Sequence, residues 1–398
     1  MTDSPYELLV TRDDVVRYLA EAGHLGRLAA DAEVVEVVEV TAGNMNRVFI
    51  ARGPLGSLAV KQAPPWVQVA GPEWPIDPAR IASEARTYEL LASRVPESIP
   101  AVVAFDADRY VIVMEDLSGL EVLRDVLVAE LASGASASST LDLAGLGAVV
   151  GRFVGELAVS TSVAALGATA HAELVALAAN PELCALTLDV VLDEPYREHE
   201  HNHWHPALDE RVRALRGNSA VREAVAHVRG IFLERHEALI HGDLHSGSVM
   251  VGRAPADDRQ LVKVFDPEFS FVGPIGMDLG LFWANLEIAA IAADVVGAHD
   301  LARARSAAIP ASLDAFAAAW NDDSTLATIV ADAWRFAGVE GIRRAAGYSH
   351  AADIESLPEP ARADASVRLF DAARHHLLTG TESPADPARS PASGRTSS

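Results

Sequence analysis

Two acidic loops, each held between apolar runs, constrain this chain more than any other feature. LIHGDLHSGSVMV spans residues 239 to 251, and VKVFDPEFSF spans 262 to 271. Short apolar runs on either side of a polar loop predict strands whose ends open onto a shared polar space. Asp243 and Asp266 stand 23 residues apart. A short hairpin between them would bring both carboxylates to one cleft.

The rest of the chain divides around these loops. Residues 34 to 62 alternate apolar and polar (VVEVVEV, RVFIA, SLAVKQ) with turns at AGN and GPLG, the pattern of a small antiparallel sheet. A helical segment follows in RIASEARTYELLASR, and AVVAFDADRYVIVMEDLS reads as two further strands joined at Asp106 to Arg109. Beyond them the character changes to long Ala/Leu/Val helices. The expected organisation is α+β: a sheet-rich lobe over 1–115, a mainly helical lobe over 116–380, and a Pro/Ser-rich, disordered tail over 381–398. The small polar stretch at 132–140 is expected to be a loop.

Composition narrows the function classes. The 398 residues are 50% hydrophobic, enough for a sizeable core, and carry 32 Lys+Arg against 56 Asp+Glu. The net charge of −24 disfavours nucleic acid and anionic membrane as partners over most of the surface. One cysteine, Cys184, excludes intramolecular disulfides and a Cys-rich zinc site, and suits a reducing cytoplasm. The acidic N-terminus lacks the basic start and apolar core of a secretory signal. The apolar stretches at 141–160 and 279–298 carry charges (Asp142, Arg152, Glu156; Glu287, Asp294), so buried helices are expected rather than membrane spans.

A sheet-rich lobe followed by a helical one that bears the acidic loops is the layout of a two-lobed kinase. Phosphoryl transfer requires an oriented hydroxyl, Mg²⁺ on the nucleotide phosphates and neutralised charge, hence one free carboxylate and separate metal-binding groups. Asp243 is the candidate for the first, Asp266 and Glu268 for the second. His241 to Leu244 fit the protein kinase catalytic loop, but Ser248 stands where that loop has Asn, and Asp266-Pro267-Glu268 replaces D-F-G. Ser is the poorer metal ligand, whereas Glu268 adds a hard oxygen beside Asp266.

These loops resemble the small-molecule branch of the protein kinase-like fold, whose members phosphorylate aminoglycosides, choline and sugars. HGDLHSGSVM with DPEFSFVGPIGMDLG is most similar to the 5-methylthioribose kinase family. TAGNMNRVF (41–49), VKQAPPWVQVAGPEWPID (60–77), VMEDLSGLEVLRDVL (113–127) and FAGVEGIRRAAGYSHAADI (336–354) agree with it in order. The resemblance implies ATP- and Mg²⁺-dependent phosphorylation of the C1 hydroxyl of 5-methylthioribose in methionine salvage, by a cytoplasmic homodimer. It implies that Lys61 contacts the α and β phosphates, with Glu84, or else Glu89, as its helix partner. Gly43, Asn44 and Asn46 would lie against the phosphates, although an ordinary Asn-rich turn reads equally well. Glu115 to Leu117 would form the hinge whose backbone holds adenine. Arg343 and Arg344 would face the sugar and the transferred phosphate; the bland alternative is two surface charges in unrelated pairs.

Several residues keep two readings. Asp278 is a helix N-cap or a site residue. His199, His201, His203 and His205 would suggest transition-metal ligands on a strand, but with no Cys or second cluster a polar loop at the substrate entrance or a dimer contact is preferred. His241 and His245 are expected to brace the Asp243 loop. A kinase acting on 5-deoxyribose or an aminoglycoside is the alternative function, and a non-catalytic nucleotide-binding module the third.

Overall fold

The computed structural model describes residues 6–41, 45–69, 71–132, 134, 139–254 and 257–383. Gly43, Asn44 and most of the tail and of the 132–140 segment lie outside them.

The first lobe opens with α1 (Arg12–Glu21), which starts at a capping box between Thr11 and Asp14. The strands β1 (Glu36–Val40), β2 (Arg47–Gly53) and β3 (Gly56–Gln62) follow, then α2 (Ile81–Ala92), β4 (Val102–Asp106) and β5 (Val111–Glu115). They form one antiparallel sheet in the order β1-β2-β3-β5-β4. Alternation assigns its faces. Phe49, Ala51, Leu58, Val60, Val111 and Val113 pack under α1. Ile50, Ala59, Ile112 and Met114 face α2 and the second lobe. Lys61 shares the face of Ala59, which aims its ammonium toward α2.

The second lobe begins at β6 (Glu121–Val122) and α3 (Leu123–Leu131), followed by α4 (Leu143–Thr161), α5 (Val163–Leu177, broken at Gly167), α6 (Pro181–Val190), α7 (Asp209–Gly217) and α8 (Ser219–Glu234). The short strands β7 (Ala238–Ile240), β8 (Val249–Arg253), β9 (Gln260–Val264) and β10 (Phe271–Gly273) come next. The chain closes with α9 (Gly276–Val295), α10 (His299–Trp320), α11 (Asp323–Ala346), α12 (Ala352–Glu355) and α13 (Ala361–Thr379). The expected hairpin is β8–β9, paired from Val249↔Val264 to Arg253↔Gln260. Pairing of β7 with β10 sets the outer ends of the two acidic loops side by side.

By length and composition α4 and α9 could each cross a membrane, yet 56% and 83% of their apolar windows are buried within the protein. Glycine lets α4 lie directly on α10: a Cβ at Gly151 would stand 1.9 Å from the Ser312 carbonyl oxygen, and one at Gly147 2.2 Å from that of Ala308. Backbone cannot yield as a flexible side chain does. Gly151→Ala is therefore expected to cost about 1–3 kcal/mol, as overpacked cores do, read as a lowered urea midpoint.

Candidate active site

The Asp243 loop is held from behind by its own backbone. Gly242 turns it with φ +82°, and a Cβ there would meet the Phe269 carbonyl oxygen at 2.2 Å, so only glycine passes beneath the second acidic loop. Asp278, buried in the first turn of α9, accepts from the backbone N–H of His241 (2.7 Å) and of Gly242 (2.9 Å). Its carboxylate thus clamps the loop rather than capping its own helix. His241 Nδ1 accepts from the Asp243 N–H (3.3 Å) and its Nε2 faces the Phe265 carbonyl at 3.0 Å. That pair of partners places the ring proton on Nε2. Ser248 donates to the Asp243 carbonyl at 2.8 Å, so its hydroxyl shapes the loop.

The Asp243 carboxylate is left facing the cleft, with His245 Nε2 3.4 Å away. Burial opposes its charge, but His245, Arg343 and Arg344 outweigh burial and hold the carboxyl well below the usual range.

Across the cleft, Lys61 Nζ donates to Glu84 Oε1 at 2.7 Å and contacts Asp266 Oδ1. Glu84 is therefore the helix partner; Glu89 is exposed. Asp266 adopts φ +66°, and its N–H donates to the Tyr88 hydroxyl at 2.8 Å. Carboxylate oxygens of Glu84, Asp266 and Glu268 lie within 4.8 Å of one another. Burial and the neighbouring Asp266 push Glu268 up to about 8, and burial pushes Glu84 up to about 7 despite Lys61. Glu84 Oε2 is buried and finds no hydrogen-bond partner among the described residues. A crowded, all-oxygen donor set with a spare buried lone pair fits a hard dication such as Mg²⁺.

The Asn46 amide, aimed by the sequence reading at phosphate oxygens, instead donates to Glu268 Oε2 at 2.8 Å, while its oxygen accepts from Arg80 at 3.0 Å. The contact ties the sheet lobe to the second acidic loop. Asn180 braces that loop from below, donating to the Glu268 carbonyl at 2.7 Å. Glu115 and Leu117 line the cleft where the lobes join, and Glu115 pairs with the Ala101 backbone.

Arg343 and Arg344 are not unrelated surface charges. Both turn onto one carboxylate, Glu340, which lies fully buried one helical turn earlier. Arg343 makes a two-pronged contact at 2.9 and 2.7 Å, and Arg344 Nε reaches Oε1 at 2.7 Å. Glu340 escaped the sequence reading, although its i, i+3, i+4 spacing to the two arginines is a visible signal. Asn180 and Tyr88 offered none, because their partners are distant in sequence.

The histidine segment is irregular rather than a strand. His199 and His201 converge on Glu194, the His203 ring stacks on His350 with centroids 3.9 Å apart, and His205 pairs with Glu359 at 2.9 Å.

One cavity of about 770 Å³ collects these groups: Lys61, Asp266 and Glu268 with Asp243, Arg343 and Arg344. A cationic pair beside a free carboxylate can grip an anion and a hydroxyl together. The Lys61 wall can hold phosphates and a dication.

Comparison with known proteins places the chain in a family. The phosphotransferase enzyme family matches residues 36–316. A methylthioribose kinase of Bacillus velezensis is 35% identical over 333 residues, covering 80% of each chain. That of Yersinia enterocolitica is 34% identical over 377 residues and 88% of each. The solved structure of an ethanolamine kinase from Plasmodium vivax aligns with a TM-score of 0.48 at 9% identity, over 91% of this chain and 86% of its own. By its match over most of its length, the chain belongs to the phosphotransferase enzyme family and, within it, to the methylthioribose kinases.

Proposed function

We propose that the protein transfers the γ-phosphoryl group of ATP to the C1 hydroxyl of 5-methylthioribose, giving the 1-phosphate for methionine salvage. The observation that carries this reading is the meeting of Asp243 and the Arg343–Arg344 pair with the Lys61, Asp266 and Glu268 wall in a single cavity. In the transfer the acceptor oxygen bonds to the γ-phosphorus as the bond to ADP breaks, and the hydroxyl proton leaves toward Asp243. A carboxylate held this acidic is a weak base but a good hydrogen-bond acceptor. A loose transition state asks little more than orientation.

Arg343 and Arg344, prealigned by Glu340, grip the sugar and the transferred phosphoryl oxygens. Lys61 contacts the α and β phosphates, and the backbone of Glu115 to Leu117 holds adenine. Asp266 and Glu268, with Glu84 beside them, would hold Mg²⁺, which when bound neutralises charge on the phosphate oxygens. The resemblance assigns Gly43 and Asn44 to the phosphates as well, while Asn46 is tied to Glu268. We place the enzyme in the cytoplasm as a homodimer, in line with the lone unpaired Cys184 and the family resemblance.

A coupled ADP-release assay with Mg²⁺-ATP and 5-methylthioribose, 5-deoxyribose, ribose and one aminoglycoside tests the reading, with products checked by phosphorus NMR. Preferred turnover of 5-methylthioribose with phosphate on C1 is expected. Turnover of only another acceptor would overturn the substrate, and phosphate elsewhere on the sugar would overturn the position.

A further inference from the structure

The segment from Glu194 to His205 holds chemistry that phosphoryl transfer does not use. Glu194 is 5% exposed, yet its Oε2 faces two imidazoles, His201 Nδ1 at 2.9 Å and His199 Nδ1 at 3.5 Å. The two rings sit edge to face with centroids 4.5 Å apart, and one ligand atom from each of the three residues falls within 4.8 Å of the others. Four ligands at 2.0–2.1 Å around a tetrahedral ion are separated by roughly 3.3 Å. The two measured separations bracket that value.

The turn closes on itself: the His201 N–H donates to His199 Nδ1 at 3.3 Å and His201 Nδ1 is hydrogen-bonded to Glu194 Oε2 at 2.9 Å, contacts that an ion on these nitrogens would replace. Asn202 Nδ2 donates to the backbone carbonyls of Glu194 (2.6 Å) and Arg197 (2.9 Å), which holds the carboxylate-bearing residue against the histidines. The other two histidines point elsewhere, to His350 and Glu359.

We propose that Glu194, His199 and His201 form a binding site for a divalent transition-metal ion of the zinc class, separate from the Mg²⁺ wall. Two imidazoles and one carboxylate suit zinc, cobalt or nickel, whereas magnesium prefers oxygen ligands alone. Three protein ligands leave a fourth position for water. The His201 ring also stacks on Trp74 (centroids 6.0 Å) and leans on Tyr348 (5.4 Å), and both of these line the cavity. An ion on His201 would therefore steady two side chains of the cavity wall.

The test titrates the full-length, chelator-treated protein with Zn²⁺ by calorimetry and with Co²⁺ by visible absorption, nucleotide and Mg²⁺ being left out. One equivalent should bind saturably, with the intense absorption of a low-coordinate Co²⁺ site. The His199→Ala/His201→Ala double variant should lose at least about 100-fold in affinity, the upper end of what removing even an outer partner of a metal ligand costs. Glu194→Gln should weaken binding as well. His203→Ala and His205→Ala should bind as the parent does. Melting curves in chelator show whether each variant is folded, and Zn²⁺ should raise the melting temperature of the parent but not of the double variant. Absence of saturable binding by the parent, or an equal loss in His203→Ala, overturns the site.

Discussion

Asp243→Asn lowers kcat by about 10²–10⁴-fold, the span that loss of a positioned proton acceptor produces, while ATP binding is retained. Asn keeps the shape of Asp and leaves the loop's backbone bonds to Asp278, His241 and Ser248 in place. It removes the negative charge that His245, Arg343 and Arg344 hold ionised. The acceptor hydroxyl then loses a charged partner, and the amide N–H₂ is as apt to face the hydroxyl as to accept from it. ADP-release kinetics with 5-methylthioribose give kcat, and calorimetry with a non-hydrolysable ATP analogue gives the nucleotide affinity. Parental turnover in this variant would sink the assignment of Asp243; loss of nucleotide affinity equal to the loss of kcat would move its role to the ATP side.

Glu340→Gln destabilises the fold by about 3–5 kcal/mol, as removal of one partner from a buried ion pair does. Arg343 is 8% exposed and both guanidinium groups converge on the lost charge, so two cations are left crowding each other. Burial pushes the Glu340 carboxyl up, but Arg343 and Arg344 overcome it and bring the group from 4.5 down to about 2. The folded state therefore releases this proton more readily than the unfolded chain. Stabilisation from Glu340 is present above about pH 4.5 and disappears as the pH falls toward 2. At about 1.4 kcal/mol per unit, the shift is worth roughly 3 kcal/mol. Urea unfolding of parent and variant between pH 7 and pH 2.5 should show the stability gap closing as acid is added. A gap that stays constant across that window would mean that the variant fails through packing rather than charge.

Local signals carried most of the fold. Alternation in 34–62 marked the faces of the first sheet, the Ala/Leu-rich period of 80–94 marked α2, and the two acidic loops announced the β8–β9 hairpin. Neighbouring residues determine such patterns. What escaped notice depends on partners far apart in the chain: Asn46 with Glu268, Tyr88 with Asp266, and Asn180 with the Glu268 carbonyl. Asp278 was visible as an acid at a helix start, a place where capping is the ordinary reading, and only the fold brings His241 and Gly242 to it. Polar type told where chemistry was expected; it could not tell Asn46 that its amide belongs to a carboxylate. The histidines read as a set of four, yet His199 and His201 converge on Glu194 while His203 stacks on His350 and His205 pairs with Glu359.

With Asp243 in its proposed role, the clamp at Asp278 ties turnover to a buried helix. Sixteen residues of α9 are buried, and the helix that carries the clamp has almost no side open to water. A sideways shift of that helix, caused by a substitution at Phe282 or Trp283 well away from any ligand, would drag His241 and Gly242 with it. Kinetic damage can then arise in residues that never meet ATP or sugar. Met277 and Leu281 of this helix also line the cavity, so screens for acceptor specificity should vary the walls that other elements supply and leave α9 untouched, since it is the ruler against which Asp243 is set.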